Sequence, residues 1–363
     1  MAFSSTLIFS PHLPHSKLPL PPCLSRKFRF LSSPLHCASS GAFTTLASSS
    51  SLLSPMSSFD LRSYWTSMIS LIQSELDAAI PIAHPERIYK AMRYSVLSDG
   101  AKRASPIMCI AACELVGGDR SAAFPTACAL EMVHAASLIH DDLPCMDGAP
   151  LRRGRPSNHA VFGVEIALLA GDALFPLAFR HIVGRTPSLV PPATVLRVIA
   201  EIARTVGSTG MAAGQMLDLL PDAGIQAREP ADVMLVLEKK FGELAETSAL
   251  CGGLLGGANA EETAALRRYG RAVGVLYEVV DDILMEQRGA GSNGHSGKMK
   301  SNASVVGALG MDRAMEIVDE LKEKAKKELK YLGDKFGDGV LPLCGFVDYA
   351  VERGFVVEAV GRT

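Results

Sequence analysis

From Phe59 onward, the dominant feature of the sequence is the recurrence of apolar residues at spacings of three and four. This spacing puts apolar side chains on one face of an α-helix, and the alternating β-branched runs typical of strands are scarce. Ser121–His140 and Leu266–Met285 are apolar over most of their surface, as expected of central helices in a large bundle. Further helices are predicted at Val164–Val183 and Met311–Leu332. The pattern therefore predicts an all-α fold.

The segment that precedes Asp60 has a different composition. It contains no Asp or Glu, is rich in Ser, Pro and Leu, and carries four basic residues. That composition is typical of an organelle transit peptide, although a merely disordered tail is the alternative. We expect a transit peptide over residues 1–58 and one helical domain over residues 59–363. Closely spaced glycines predict a flexible loop at residues 287–302 of that domain.

Charge and hydropathy exclude two classes of partner. The net charge of -2 argues against nucleic-acid binding, and no run of about 18 uncharged apolar residues predicts a membrane span. The cysteines show no Cys/His spacing suitable for zinc. We therefore expect most of them to be small buried apolar residues.

A group of acids closes the first central helix. Asp141 and Asp142 lie at its end, and Asp147 follows a proline that breaks the helix and lets the chain return toward the same opening. Oxygen ligands of this kind suit Mg²⁺, which binds through one or two carboxylates and substrate phosphates. Arg152 and Arg153 follow and could bind diphosphate oxygens. A solvated helix cap is the simpler alternative, but it explains neither the third acid nor the arginine pair.

These motifs carry a family resemblance. DDLPCMD and LRRGRPSNH, together with CIAACELVGGD, LAGDALFPLAF, GSTGMAAGQ and VVDDIL, resemble plant geranylgeranyl diphosphate synthases of the trans-prenyltransferase family. The likeness extends through most of the chain beyond residue 59. It implies an isoprenoid synthase helical bundle around a central cavity, a plastid location, and Mg²⁺-dependent condensation of isopentenyl diphosphate with allylic diphosphates.

The resemblance also implies positions for the site residues. The implied metal ligands are Asp141, Asp142, Asp147, Asp281 and Asp282, and the implied diphosphate contacts are Lys102, Arg103, His134, Arg152, Arg153 and Lys240. A lone histidine on an apolar helix is often an ordinary core residue, so His134 could be either.

Several positions depart from the catalytic pattern. The second aspartate motif of the family is DDxxD, but here the sequence from Asp281 is DDILM, and the thioether of Met285 is a poor ligand for Mg²⁺. Glu286 could substitute only from a rotated position. The family segment GGKRxRP is GAKRASP in this chain, so Ser105 replaces an arginine, and Glu278 replaces the glutamine of a Phe-Gln pair.

Together these departures resemble the type II small subunits of heteromeric geranyl and geranylgeranyl diphosphate synthases. That likeness implies a regulatory, weakly catalytic or non-catalytic subunit. It would bind a catalytic synthase in a heterodimer or heterotetramer and alter the activity or product chain length of that synthase. Such subunits carry two CxxxC motifs implicated in subunit contact; here Cys109 and Cys113 form the first, whereas the second has Thr247 before Cys251. An autonomous prenyl diphosphate synthase is the main alternative, and a terpene cyclase or another all-α binding protein is a third.

Overall fold

The computed structural model describes residues 59–219, 230–289 and 304–352. Over these ranges the chain forms fourteen α-helices and one short two-stranded hairpin. The helices are α1 Leu61–Ala79, α2 Glu86–Val96, α3 Ala104–Leu115, α4 Arg120–Asp141, α5 Asn158–Phe162, α6 Val164–Arg185, α7 Pro192–Val206, α8 Met211–Leu219, α9 Pro230–Leu237, α10 Glu243–Leu255, α11 Ala260–Gly289, α12 Val305–Leu309, α13 Met311–Phe336 and α14 Leu341–Glu352. The strands are β1 Leu151–Arg152 and β2 Arg155–Pro156.

Polar side chains cap the starts of three long helices, α1, α4 and α11. The Asp60 carboxylate accepts a hydrogen bond from the backbone N–H of Arg62 at 3.0 Å, and the Asp119 carboxylate accepts one from Ser121 at 2.7 Å. These bonds satisfy backbone donors that have no partner inside the helix. At the start of α11, Asn259 and Glu262 bond to each other's backbone N–H groups, forming a capping box.

The all-α prediction is confirmed, and the four predicted helices correspond to α4, α6, α11 and α13. The predicted start of the loop at residue 287 is wrong, because α11 continues to Gly289. Gln and Arg are good helix formers and extend the helix to the first of the glycines. The rest of the predicted loop, residues 290–302, and the predicted transit peptide lie outside the described residues.

The core is built around α4, which is buried nearly all round. This helix packs between α3 and α6; α10 packs on the other side of α3 and against α11, and α11 packs on α13. Trp65 of α1, the first helix, packs against α14, the last one. The centre of its ring lies 4.5 Å from that of Phe346. Its indole N–H also donates to the carbonyl of Lys102 at 2.7 Å, which fixes the loop before α3.

By length and composition, α4 and α6 could each cross a membrane. The apolar stretch of α4 is largely buried, so α4 is a core helix. In α6 only about a third of that stretch is buried, but charged residues, among them Asp172 and Arg180, lie along its exposed surface. No membrane span is supported, and the apolar surface of α6 requires another explanation.

Candidate diphosphate site

The carboxyl end of α4 carries the first acids of the site. Asp141 is the last residue of the helix and Asp142 caps it. The chain then turns back, because the backbone N–H of Asp147 donates to the carbonyl of Asp141 at 2.9 Å and Gly148 adopts a φ of 62°. Burial, followed by the charges of Asp141 and Asp218, raises the pKa of Asp147. The turn therefore places several carboxylates close enough to repel one another.

Two polar residues of α8 and one lysine complete this first cluster. The Gln215 amide donates to Asp141 Oδ1 at 2.6 Å, and Lys240 Nζ lies 2.7 Å from Asp218 Oδ2 and 4.0 Å from Asp141 Oδ1. Lys240 belongs to a π-helical turn, Glu238–Gly242, a geometry that often occurs at functional sites. The sequence analysis placed Lys240 but missed Gln215 and Asp218. Their signal is two polar residues three positions apart in the apolar helix MAAGQMLDL, where they share a face.

The first cluster has a donor set that suits Mg²⁺. Asp141, Asp147 and Asp218 supply carboxylate oxygens, and a divalent cation would relieve the repulsion that raises the pKa of Asp147. Among the described residues, no group of three or more Asp, Glu, His or Cys side chains is arranged to hold a metal ion alone. This agrees with the usual coordination of Mg²⁺, in which substrate phosphates and water complete the shell. Asp141 and Asp147 would hold the ion, which would neutralise diphosphate charge.

Asp142, the third acid expected as a metal ligand, forms an ion pair with Arg152 in this structure. Its carboxylate is only 2% exposed and accepts hydrogen bonds from Arg152 Nε at 2.9 and 3.2 Å. Burial raises the pKa of Asp142, and the bonds from Arg152 oppose that shift. Arg152 Nη2 also lies 3.6 Å from Asp141 Oδ2. Asp142 therefore holds the Arg152 guanidinium against the rim of the first cluster.

Arg153 and His134 lie on the side of the cluster nearer α3. Arg153 is exposed, and desolvation together with the charges of Arg103 and Arg152 lowers the pKa of its guanidinium. Desolvation and the charge of Arg153 lower the pKa of His134 to about 4, although nearby Glu131 acts in the opposite direction. His134 is therefore neutral at physiological pH. The guanidinium groups of Arg103 and Arg152 near Arg153 would attract an anion.

Arg103 is a structural residue, which corrects its prediction as a diphosphate contact. It is 2% exposed and forms an ion pair with buried Glu131. Its guanidinium also donates to the carbonyl of Val96 at 2.6 Å and to the Gln73 side chain at 2.7 Å. The left-handed backbone at Arg103, with a φ of 55°, turns this side chain into the core at the start of α3. The sequence does not reveal this turn.

Lys102, the residue before it, remains at the surface. Its ammonium contacts the hydroxyl of Tyr277 on α11 and lies 4.7 Å from the centre of that ring. Ser105 is half-buried in the first turn of α3, so the charge of the family's second arginine is missing beside Lys102. The predicted isopentenyl contacts are thus reduced mainly to Lys102, Arg153 and neutral His134.

The second aspartate motif lies on α11 and differs from the first cluster. The carboxylate of Asp282 accepts hydrogen bonds from the Ser304 hydroxyl at 3.0 Å and from the Val306 N–H at 2.9 Å. Ser304 is the N-cap of α12, so in this structure Asp282, a predicted metal ligand, stabilises the start of that helix. Asp281 and Met285 are half-buried, and Glu286 is exposed. Asp281 stays a predicted metal ligand on the same helix.

Comparison with known proteins identifies the family. The polyprenyl synthetase family profile matches residues 85–298. The chain belongs to the polyprenyl synthetase family. It is 59% identical over 315 residues to a protein from Arabidopsis thaliana named the small subunit of a chloroplastic heterodimeric geranylgeranyl pyrophosphate synthase, covering 86% of this chain and 90% of that one. It is 41% identical over 307 residues to a protein named large subunit 1, also from Arabidopsis thaliana, covering 82% and 80%.

Solved structures of the same family agree with the fold. A farnesyl or geranylfarnesyl diphosphate synthase from Zymomonas mobilis superimposes with a TM-score of 0.71 at 28% identity, covering 80% of this chain and 99% of that one. A putative farnesyl-diphosphate synthase from Marinomonas gives a TM-score of 0.68 at 31% identity, covering 81% and 100%. As in those polyprenyl synthetases, helices form nearly all of the described structure.

The three cysteines that were predicted as direct subunit contacts lie inside the chain and not at its surface, which corrects that prediction. Cys109, Cys113 and Cys251 are each 0% exposed, and burial raises the pKa of all three thiols. A Cβ added to Gly252 of α10 would lie 2.0 Å from the carbonyl oxygen of Cys109, and one added to Gly256 would lie 2.6 Å from that of Cys113. The CxxxC spacing therefore serves the close packing of α3 on α10 within one chain, where small side chains are required.

Proposed function

We propose that this chain is the regulatory small subunit of a plastid heteromeric geranylgeranyl or geranyl diphosphate synthase, in which it binds a catalytic synthase and alters its activity or product chain length. The observation that carries the proposal is the contrast between a complete first cluster and an altered second motif, where Met285 replaces a carboxylate and Asp282 caps α12. The 59% identity to a named small subunit supports it.

At the first cluster the chain retains the groups that would bind an allylic diphosphate. Arg152 is held in place by Asp142, and Asp141 and Asp147 would bind Mg²⁺ at the same opening. The ion would stabilise the diphosphate leaving group, which is the chemistry it supplies in this family. Binding isopentenyl diphosphate needs further cations beside Lys102, and Ser105 does not provide one. We therefore propose that the chain binds Mg²⁺ and allylic diphosphate but turns over slowly alone.

The surface of α6 supports a role in assembly. This helix is apolar, yet Leu168 and Leu169 are 44% and 50% exposed, and Leu196 on neighbouring α7 is 67% exposed. An exposed apolar surface on a helix that already packs well on α4 favours coverage by another protein. A catalytic synthase of the same family would offer a related helix, so we place the partner contact on α6 and α7. The buried CxxxC cysteines would act only indirectly, by shaping α3 and α10.

A combined activity and association assay tests the proposal. The purified chain alone should show little synthase activity, and adding a catalytic geranylgeranyl diphosphate synthase should give a heteromer with altered activity or product length. The double variant Leu168→Glu with Leu169→Glu should abolish that heteromer, because it buries two charges. Met315→Glu on α13 is the matched control, since Met315 is also 50% exposed but lies on a charged helix. Unchanged association in the α6 variant would move the interface elsewhere.

An autonomous synthase is the second candidate. The observation that favours it is the retention of Asp141, Asp147, Lys240 and Asp281. Turnover by the purified chain alone, equal to that of a catalytic synthase at saturating Mg²⁺, would support this candidate and remove the small-subunit proposal. Light scattering of the heteromer would distinguish two chains from four.

We further propose that the chain acts in the plastid stroma. The acid-free N-terminal segment is typical of a transit peptide, and the named Arabidopsis relatives are chloroplastic. Import into isolated chloroplasts, with removal of the segment near residue 58 and protection from added protease, would test this location. A chain that remains outside the organelle would contradict it.

A further inference from the structure

The arginine pair of the site is carried by an unusually exposed structural unit. Strands β1 and β2 pair Arg152 with Arg155, and the turn between them is Arg153–Gly154. Both turn residues have positive φ, 54° and 75° respectively. A two-residue turn of this type suits a hairpin, but it strains a residue other than glycine, and an isolated hairpin is only marginally stable. Contacts with the rest of the chain must therefore hold this arginine hairpin, residues 151–156, in place.

The two arginines depend on that support to different degrees. Arg152 is fixed directly by its hydrogen bonds to buried Asp142. Arg153 forms no hydrogen bond or ion pair with any of the described residues, and its side chain is exposed. Its position follows from the backbone of the hairpin alone. A shift of the hairpin should thus displace Arg153 more than Arg152.

Helix α2 contacts the hairpin and the residues just after it through three of its residues, Ala91, Tyr94 and Ser95. The hydroxyl of Tyr94 donates to the carbonyl of Pro156 at 2.7 Å, and the Arg155 guanidinium lies 4.5 Å from the centre of the Tyr94 ring. Just beyond the hairpin, the Asn158 amide donates to the carbonyl of Ala91 and to the hydroxyl of Ser95, both at 2.8 Å.

Asn158 is also a neighbour of the site itself. It is 2% exposed and lines a cavity of about 30 Å³ together with Asp142, Arg152 and Arg153. Its Oδ1 atom has no hydrogen-bond partner among the described residues. A buried polar residue of this kind is retained at some cost in stability, and both of its amide bonds go to α2.

We propose that Asn158 is the positioning residue for Arg153: it fastens the arginine hairpin to α2 and so places the Arg153 guanidinium for a diphosphate. This inference rests on the proposal that the chain still binds substrate diphosphates, with Arg153 as a predicted contact of isopentenyl diphosphate. Asn158 does not itself touch the diphosphate. Its effect on affinity therefore passes through Arg153, and this dependence separates positioning from a general role in folding.

A double-mutant cycle on the purified full-length chain tests the inference. Calorimetry with isopentenyl diphosphate and Mg²⁺ should show about tenfold weaker binding for Asn158→Ala. In the Arg153→Ala background the same substitution should weaken binding by less than about twofold, because the residue that it positions is gone. Thermal unfolding of each variant reports the stability change separately. Asn259→Ala, which removes a capping amide at α11, is the matched control and should lower the melting temperature without changing affinity.

Three outcomes would overturn the inference. Wild-type affinity in folded Asn158→Ala would show that Asn158 positions nothing, and an equal loss in both backgrounds would show a merely structural role. Absence of isopentenyl diphosphate binding in the wild type would remove this inference, whereas the small-subunit proposal is decided by the association assay. If Asn158→Ala does not fold, Ser95→Ala removes only one of the two bonds and should weaken binding about threefold through Arg153.

Discussion

The first cluster and the second aspartate motif contain the same kind of side chain but use it differently. At the first cluster, Asp141 and Asp147 face each other near Lys240, and Asp142 supports an arginine. On α11, Asp282 is bonded to the start of α12. A retained aspartate can therefore have a role other than that of a metal ligand. What its oxygens already bind decides whether it can serve a metal ion.

The largest expected effect concerns the buried ion pair between Arg103 and Glu131. Arg103→Met should lower the free energy of unfolding by about 3–5 kcal/mol, because it leaves Glu131 buried without its cation. Asp282→Ala on α11 should lower it by only about 1 kcal/mol, as expected for a lost helix cap. Urea denaturation measures both. Similar losses would show that the two regions are equally important for stability.

Ligand binding should depend on the first cluster more than on the second aspartate motif. Asp147→Ala should weaken Mg²⁺-dependent binding of geranyl diphosphate by about thirtyfold, whereas Asp282→Ala should change it by less than about threefold. Calorimetry at fixed Mg²⁺ concentration gives both affinities. A large loss in Asp282→Ala would show that this carboxylate leaves α12 to bind the metal.

Restoring the family's residues at two altered positions should raise the activity of the chain. Ser105→Arg combined with Met285→Asp returns one cation and one carboxylate, and should raise kcat/KM of the chain alone about tenfold. Each single variant should do less, because the other deficit remains. If the double variant stays as slow as the wild type, the cause lies elsewhere, with Glu278 as the next residue to test.

The pH dependence of stability should follow His134 and Glu131. The folded pKa of His134, about 4, lies below its ordinary value of 6.5, so the unfolded chain binds more protons between these values and stability falls as pH falls through this window. The charge of Arg103 outweighs burial and lowers the pKa of Glu131, so its contribution is also lost in acid. Between pH 7 and pH 5 we expect a loss of about 1–2 kcal/mol from His134. His134→Gln should remove this loss of unfolding free energy. If urea denaturation of the variant shows the same pH dependence as the wild type, His134 is solvated in the folded chain.

The smallest expected effect concerns the contact between Lys102 and Tyr277. Tyr277→Phe removes the hydroxyl that meets the Lys102 ammonium but keeps the ring beneath it. Lys102 should then bind diphosphate more readily, with isopentenyl diphosphate affinity rising about threefold. In a Lys102→Met background the substitution should have no effect. Weaker binding in Tyr277→Phe would show that the hydroxyl itself holds the ligand.

The sequence by itself determined the fold class, the main helices and the identity of the acidic and basic groups. Helical periodicity is a local property, so four central helices could be predicted with errors of a few residues at their ends. Motif spacing could also show that one carboxylate and one arginine are missing. Such statements depend only on which residue stands where.

Tertiary structure decided what each of those residues contacts. Arg103 and Lys102 are adjacent, yet a left-handed backbone sends one into the core and leaves the other at the surface. Cys109 and Cys113 share a helix face as their spacing predicts, but glycines of α10, more than a hundred residues away in sequence, cover that face. Gln215 and Asp218 join the site only because α8 packs beside the end of α4. Side-chain partners depend on long-range packing and on rare backbone conformations, neither of which a local pattern contains.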